Sequence, residues 1–136
     1  MAIATVNPTT EETLKIFTSL TAEEIETKLH LAETTFQQYR LTSFAHRREK
    51  LLKAGEILEN NARKWAEIIT LEMGKPIKQA LAEIKKCALV CRYYAENAES
   101  FLQPKAIASD ASYSAIYYQP LGVILAVMPW NFPFWQ

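Results

Sequence analysis

The apolar run Val123-Ile-Leu-Ala-Val-Met128 is the stretch of sequence that decides the predicted fold, and Pro129 ends it. A continuous apolar run of this length is typical of a strand buried on both faces inside a parallel sheet. Pro120-Leu-Gly122 is a predicted turn before it. Ser112-Tyr-Ser-Ala-Ile-Tyr-Tyr-Gln119 is rich in strand-forming residues. These patterns predict a strand region over 112–129.

Residues 1–104 are predicted to be helical after a lead-in over 1–20 that contains a turn at Asn7-Pro8-Thr9-Thr10. Start and stop signals place four helices. They are a helix opened by the capping box Thr21-Ala-Glu-Glu24, a second from Ser43 to about Glu59, a third from Asn60 or Asn61 to Gly74, and a fourth from Pro76 to before Pro104.

The apolar residues of the first helix recur at helical spacing and predict one buried face, formed by Ile25, Leu29, Ala32, Phe36 and Tyr39. Helices followed by a buried parallel strand indicate an α/β fold. Such a strand needs neighbouring strands and covering helices. No candidates for them follow in the sequence, so we expect an incomplete domain.

The composition excludes several classes of function. Fifteen basic residues match fifteen acidic ones among 136, which gives no electrostatic footprint for nucleic acid or an anionic membrane. The stretch from Leu121 to Phe134 is too short and too interrupted to span a bilayer, and the N-terminus does not resemble a signal peptide. A cytoplasmic protein is the default expectation. No metal site is predicted, and Cys87 and Cys91 are expected to pack as helix residues.

Asn131, within Pro129-Trp-Asn-Phe-Pro133, is the first candidate site residue. Ligands of open α/β sheets bind beyond the carboxyl ends of the strands, which is where Asn131 is predicted to lie. An amide N–H held where negative charge develops lowers the barrier to acyl-type chemistry. Asparagine is also a common turn residue that bonds its own backbone. The residues by themselves leave both roles open.

Several segments resemble, in order and spacing, elements of the aldehyde dehydrogenase superfamily, and together they cover essentially the whole chain. Within that superfamily the sequence is most similar to the succinate-semialdehyde dehydrogenases. The segments are Asn7-Pro8, Glu72-Met-Gly-Lys-Pro76, Ala82-Glu-Ile-Lys-Lys-Cys87, Cys91-Arg-Tyr-Tyr-Ala-Glu-Asn97, Tyr118-Gln-Pro-Leu-Gly-Val123 and Leu125-Ala-Val-Met-Pro-Trp-Asn-Phe-Pro-Phe-Trp-Gln136.

The resemblance implies that residues 1–136 form the N-terminal portion of a Rossmann-like NAD(P)-binding domain. It implies oxidation of an aldehyde to an acid, here succinic semialdehyde to succinate, with NAD or NADP. A cysteine thiolate attacks the carbonyl, hydride passes to NAD(P), and a glutamate activates water. Asn131 matches the oxyanion-hole asparagine and, with Trp130, the cofactor contact. Phe132 and Trp135 match positions near the aldehyde tunnel.

The resemblance also implies a homodimer or homotetramer at full length, with residues 112–119 feeding an oligomerisation sheet. The family's nucleophile and base belong to motifs expected beyond residue 136, so this fragment alone is expected to be inactive. The alternative is a non-catalytic helical interaction module that docks through its apolar C-terminal tail. The sequence leaves the choice between NAD and NADP open, because the residues that contact the ribose are expected further along.

Overall fold

The computed structural model describes residues 3–136, and it begins with a β-hairpin. Strand β1, Ile3–Val6, pairs antiparallel with strand β2, Thr13–Phe17. The predicted turn lies between them, where the Asn7 side chain accepts a hydrogen bond from Thr9 N at 2.9 Å. The lead-in expected over 1–20 therefore contains two strands that the sequence did not predict. Nearly every residue of this hairpin is exposed, so no buried alternation marks the strands in the sequence.

Four helices follow close to their predicted positions. Their bounds are α1 Ala22–Tyr39, α2 Phe44–Asn60, α3 Ala62–Met73 and α4 Ile77–Phe101. The capping box is confirmed, because the Thr21 hydroxyl accepts from Glu24 N and the Glu24 carboxylate accepts from Thr21 N. The Ser43 hydroxyl accepts from His46 N at the start of α2. Within the described residues, none of these helices is long and apolar enough to cross a membrane.

The boundaries of α3 and α4 also follow the sequence signals, with one difference. Asn61 stands at the start of α3 as predicted, but its side chain donates to Ile57 O at 2.9 Å and does not cap the helix. Gly74 ends α3 with a left-handed φ of 73°. Pro76 immediately precedes α4, which is 25 residues long.

The core lies where α4 packs against α2 and α3. Gly55 permits the close approach of α2, because a Cβ there would meet the Ala88 carbonyl oxygen at 3.2 Å. Phe134, from the C-terminal segment, packs against the cluster between α3 and α4. The buried members of that cluster are Ala66, Ile69, Ala80 and Ile84.

Helix α1 makes few contacts with the other helices of the described chain. Ile25 is 45% exposed and Leu29 is 55% exposed, while Ala32 and Phe36 are half-buried. The prediction of a helix is confirmed, but the prediction that this face is buried is wrong here. Burial needs a packing partner, and within residues 3–136 no other helix or strand packs extensively against α1.

The C-terminal third contains much less strand than predicted. Strand β3, Lys105–Ala106, pairs antiparallel with strand β4, Ala115–Ile116. These two residues of β4 are the only part of the strand expected over 112–119 that forms in the described chain. Residues 123–128 belong to no strand of the described chain, and Val127 is 85% exposed. The predicted buried strand is therefore wrong here, because a strand requires a paired neighbour and none is present in residues 3–136. Over residues 3–136 the fold is mixed α/β, with four helices and two small antiparallel sheets.

Candidate functional site

Asn131 lies in an exposed turn that follows Pro129. Its backbone carbonyl accepts a hydrogen bond from Lys75 Nζ at 2.9 Å. Among the described residues no hydrogen bond uses its side-chain amide, so it does not bond its own backbone as a simple turn asparagine does. The backbone of Asn131 is thus held, while its exposed side chain leaves the amide N–H groups available to a ligand.

Lys75 reaches Asn131 from the reversal between α3 and α4. The left-handed conformation of Gly74 turns the chain, and the Thr70 hydroxyl donates to the Lys75 carbonyl oxygen at 2.8 Å. The Lys75 side chain is 8% exposed. Its ammonium group lies 3.8 Å from the centroid of the Phe132 ring. This cation is therefore enclosed by the segment that carries Asn131.

Glu83, the seventh residue of α4, is the counter-ion of Lys75. Its side chain is 3% exposed, and its Oε2 lies 2.5 Å from Lys75 Nζ. Its Oε1 accepts hydrogen bonds from Phe134 N at 3.0 Å and from Trp135 N at 3.1 Å. Burial by itself would raise the pKa of Glu83, but the hydrogen bonds from Lys75 and from the two backbone amides outweigh it and lower the pKa. Glu83 is therefore a carboxylate with both oxygens engaged.

The aromatic residues of the C-terminal segment are divided between two sides. Phe132 and Trp135 line one cleft of about 500 Å³ together with Lys75 and Glu83. Lys86 also lines it, and its ammonium group lies 3.8 Å from a ring centroid of Trp135. Trp130 lines a separate cleft beside Thr5, Ile68, Ile69, Glu72, Met73, Pro133 and Phe134. The two predicted tunnel residues are thus brought together, and Trp130 is kept apart from them.

Phe134 anchors the segment between these two clefts. Its ring is half-buried against the core cluster, with its centroid 6.0 Å from that of Trp65. Asn131 lines neither cleft. The site is therefore a turn anchored by one aromatic ring and one buried ion pair, with a free amide at its tip.

Lys75 and Glu83 are the site residues that sequence reasoning missed. Lys75, like Glu72, lies beside a helix end, where charges are usually solvated. The available signal was Glu83, which lies three residues after Ala80 and four before Cys87, on the buried side of α4. An acidic residue on a buried helix face needs a cation or several donors.

Cys87 packs in the helical core, as predicted, and is 7% exposed. Burial raises the pKa of the Cys87 thiol, and the neighbouring charge of Glu83 raises it further. A thiol held in its neutral form is a poor nucleophile. Cys91 is half-buried, and both cysteines are free. Cys87 therefore supplies no activated thiolate to the turn at Asn131.

The geometry of the turn and the order of its motifs agree with one protein family. The sequence pattern of the aldehyde dehydrogenase family matches residues 1–136, and the chain belongs to that family. A relative from a Synechocystis species, named a probable succinate-semialdehyde dehydrogenase (NADP+), is 57% identical over 136 residues. That alignment covers 100% of this chain and 30% of the relative.

Two further relatives have names of the same kind. A succinate-semialdehyde dehydrogenase (NADP+) of Mycobacterium tuberculosis strain H37Rv is 51% identical over 139 residues, which cover 100% of this chain and 30% of that protein. The crystal structure of the succinic semialdehyde dehydrogenase of Streptococcus pyogenes with NADP+ superposes with a TM-score of 0.93 at 34% identity. The superposition covers 97% of this chain and 29% of that structure. The chain spans about 30% of the length of the curated relatives that it matches.

Proposed function

We propose that residues 1–136 are the N-terminal portion of the NAD(P)-binding domain of an enzyme that oxidises succinic semialdehyde to succinate. The observation that carries this proposal is Asn131, whose backbone is held by Lys75 while its amide remains free. The Synechocystis and Mycobacterium tuberculosis relatives support the choice of substrate, since both are named for it. Family membership over the whole chain favours the enzyme over the interaction module.

Asn131 acts as a hydrogen-bond donor to the oxyanion. A cysteine thiolate from another part of the protein attacks the aldehyde carbonyl carbon. The C–S bond forms as the C=O π electrons move to oxygen, and the amide N–H of Asn131 stabilises that charge. A neutral donor fixed beforehand stabilises the developing charge without reorganising. Burial disfavours the thiolate of Cys87, and the proposal places the nucleophile and the base beyond residue 136. Residues 1–136 by themselves are therefore inactive in this proposal.

The turn fits a bound NAD(P) at Trp130. This residue is 75% exposed, and among the described residues no hydrogen bond uses its backbone groups, so they can meet a ligand. When bound, the cofactor accepts the hydride. The backbone at Trp130 and Asn131 would hold it, while Phe132 and Trp135 would border the path of the aldehyde. NADP+ is the favoured acceptor, since the relatives above carry it in their names.

The remaining parts of the proposal concern the whole protein. Residues 112–119 feed an oligomerisation sheet of a homodimer or homotetramer, and the enzyme is cytoplasmic. The exposed Tyr113, Ile116 and Tyr117 leave apolar surface available for such a contact. Sedimentation of the full-length protein measures the oligomer directly.

The proposed activity is tested by following reduced cofactor formation at 340 nm with the full-length protein that carries this sequence. Succinic semialdehyde is compared with butyraldehyde, which has the same carbon chain without the distal carboxylate. NADP+ and NAD+ are each supplied as acceptor. We expect the higher kcat/KM with succinic semialdehyde and NADP+. Turnover of butyraldehyde alone would disprove the choice of substrate, and silence with every aldehyde would disprove the proposed activity.

A further inference from the structure

We propose that Lys75 and Glu83 are positioning residues, a buried pair that fixes the turn at residues 131–135 and thereby directs the Asn131 amide toward the oxyanion. The inference rests on the proposed function, because it assigns Asn131 the role of donor. It adds two residues that act through Asn131 and do not themselves touch the reacting atoms.

The first step of the argument is the contact at the carbonyl of Asn131. The ammonium group of Lys75 donates to this oxygen at 2.9 Å. The two residues are 56 positions apart in sequence, so this hydrogen bond connects the turn to the end of α3. The same group lies 3.8 Å from the Phe132 ring centroid, so two successive residues of the turn meet one cation. A charged donor makes a stronger hydrogen bond than a neutral one. The peptide that follows Asn131 is therefore fixed on the α3 side.

The second step is the contact that Glu83 makes with the other end of the turn. One carboxylate oxygen accepts from both Phe134 N and Trp135 N, and the other accepts from Lys75. The pair thus binds three backbone groups within residues 131–135, on both sides of Pro133. The proline fixes its own φ, which reduces the freedom left between the two anchors. The direction of the Asn131 Cα–Cβ bond is then fixed, which limits the positions that its amide can reach.

The third step separates positioning from stability. A buried ion pair pays a desolvation penalty, and apolar residues of similar volume often stabilise a fold equally well or better. Lys75 and Glu83 have side-chain exposures of 8% and 3%, so this penalty applies to them. An apolar pair would fill the same space but could not bind the Asn131 carbonyl or the amides of Phe134 and Trp135. What the charges supply is the placement of the turn.

The test uses this difference in the full-length enzyme. The double variant Lys75→Met with Glu83→Met removes both charges without leaving one unpaired, so we expect it to retain the fold. We expect kcat for succinic semialdehyde to fall about 100-fold, because a small misplacement of a catalytic group can have an effect of this size. The KM for NADP+ should change much less. Lys78→Met, at an exposed position of α4, is the matched control and should keep the wild-type kcat. An unchanged kcat in the double variant would overturn the proposal.

A second readout asks whether the loss passes through Asn131. In an Asn131→Ala background the two methionine substitutions should lower kcat by no more than about twofold, because the donor that they misplace is already gone. A further loss of about 100-fold in that background would mean that the pair acts elsewhere, and it would overturn the positioning role.

A third readout does not depend on activity. Amide hydrogen exchange at Phe134 and Trp135 should become faster in the double variant and stay unchanged in Lys78→Met. If the wild-type enzyme oxidises no aldehyde, the proposed function and the catalytic consequence both fail, and exchange alone decides whether the pair holds the turn. Unchanged exchange at both amides would show that the pair does not hold the turn.

Lys75→Arg keeps the positive charge. Its kcat should therefore fall less than that of the double variant, and an equal loss would contradict the role of the charge.

Discussion

The ammonium group of Lys75 meets a carboxylate, a backbone carbonyl and an aromatic ring in a space that is nearly closed to water. Each of these partners is needed, because an isolated buried charge is costly. Two of them come from residues that lie more than 50 positions along the chain. The environment of this one side chain therefore couples the α3–α4 reversal to the turn that carries Asn131.

The pH dependence of stability should report the ionisation of Glu83. Its pKa is lower in the folded protein than in the unfolded chain. In an unfolded chain, the pKa of glutamate is about 4.3. A lowered folded-state pKa contributes stability above the unfolded pKa, and that contribution disappears as the pH falls through the folded value. We expect Glu83→Gln to lower the free energy of unfolding by about 3 kcal/mol at pH 7, and by progressively less below pH 4.

Urea unfolding of the full-length protein at pH 7, 5, 4 and 3 measures this difference. The exposed Glu72→Gln serves as the control, and it should differ from the wild type by less than about 0.5 kcal/mol at pH 7. A difference between wild type and Glu83→Gln that stayed constant from pH 7 to pH 3 would refute the assignment.

A side chain at Gly74 is predicted to destabilise the fold. Its φ is 73°, and an added Cβ would lie 3.1 Å from Pro8 Cγ. Gly74→Ala should lower the free energy of unfolding by about 1–2 kcal/mol, since L-residues disfavour this conformation. Gly74→Asn has the same Cβ but adopts left-handed backbone more readily, so it should lose less. Equal losses in urea unfolding would assign the effect to the contact with Pro8 and not to the backbone.

At the scale of single residues, the sequence predicts Asn131 and not the pair that holds it. Asn131 lies between Pro129 and Pro133 and directly after the predicted strand, and this local pattern indicates a candidate site residue. The burial of Lys75 depends on residues 131–135, and no periodicity within Glu72-Met-Gly-Lys-Pro76 encodes that long-range contact. Charged residues next to a helix end are usually solvated, so the local pattern indicated the wrong environment.

At the scale of elements, the helices follow from local chemistry and the strands do not. Caps, a left-handed glycine and a proline are short-range signals, and they place α1 to α4 within about two residues. A strand depends on its partner. Residues 123–128 have the composition of a buried strand but lie beside no strand of the described chain, whereas Lys105–Ala106 pairs despite a weak pattern.

The capping box of α1 gives a prediction at this scale. Thr21→Ala removes the hydroxyl that accepts from Glu24 N, and it should destabilise the first turn by about 1 kcal/mol. The matched control is Thr27→Ala inside the same helix, where the hydroxyl only donates back to the Glu23 carbonyl. Because alanine is the better helix former, that variant should be neutral or slightly stabilising. Hydrogen exchange of residues 22–26 distinguishes them, and equal protection in both variants would count against the cap.

At the scale of the whole molecule, the apolar C-terminal segment has little cover. Leu121 is 94% exposed, Leu125 is 89% exposed and Val127 is 85% exposed. Contiguous apolar surface of this kind marks an interaction or aggregation site. The relatives are more than three times as long as this chain, since it spans about 30% of them. Under the proposed function, residues 1–136 belong to a longer enzyme, and its other parts would cover the segment.

Residues 1–136 produced by themselves should therefore associate. We expect light scattering to report oligomers at micromolar concentration, and Leu125→Lys with Val127→Lys to increase the monomer fraction. Lys substitutions at the exposed Glu49 and Glu56 of α2 provide a control, because they add positive charge without removing apolar surface. A wild-type fragment that stays monomeric and unfolds in one sharp transition would contradict this inference.

The most direct measurement is the kcat of Asn131→Ala in the full-length enzyme with succinic semialdehyde and NADP+. A lost oxyanion donor is predicted to lower kcat about 100- to 1,000-fold, with a much smaller change in the KM for NADP+. Asn60→Ala, at the exposed end of α2, should retain the wild-type kcat. A kcat for Asn131→Ala within about twofold of the wild type would contradict the assignment of Asn131 as the oxyanion donor.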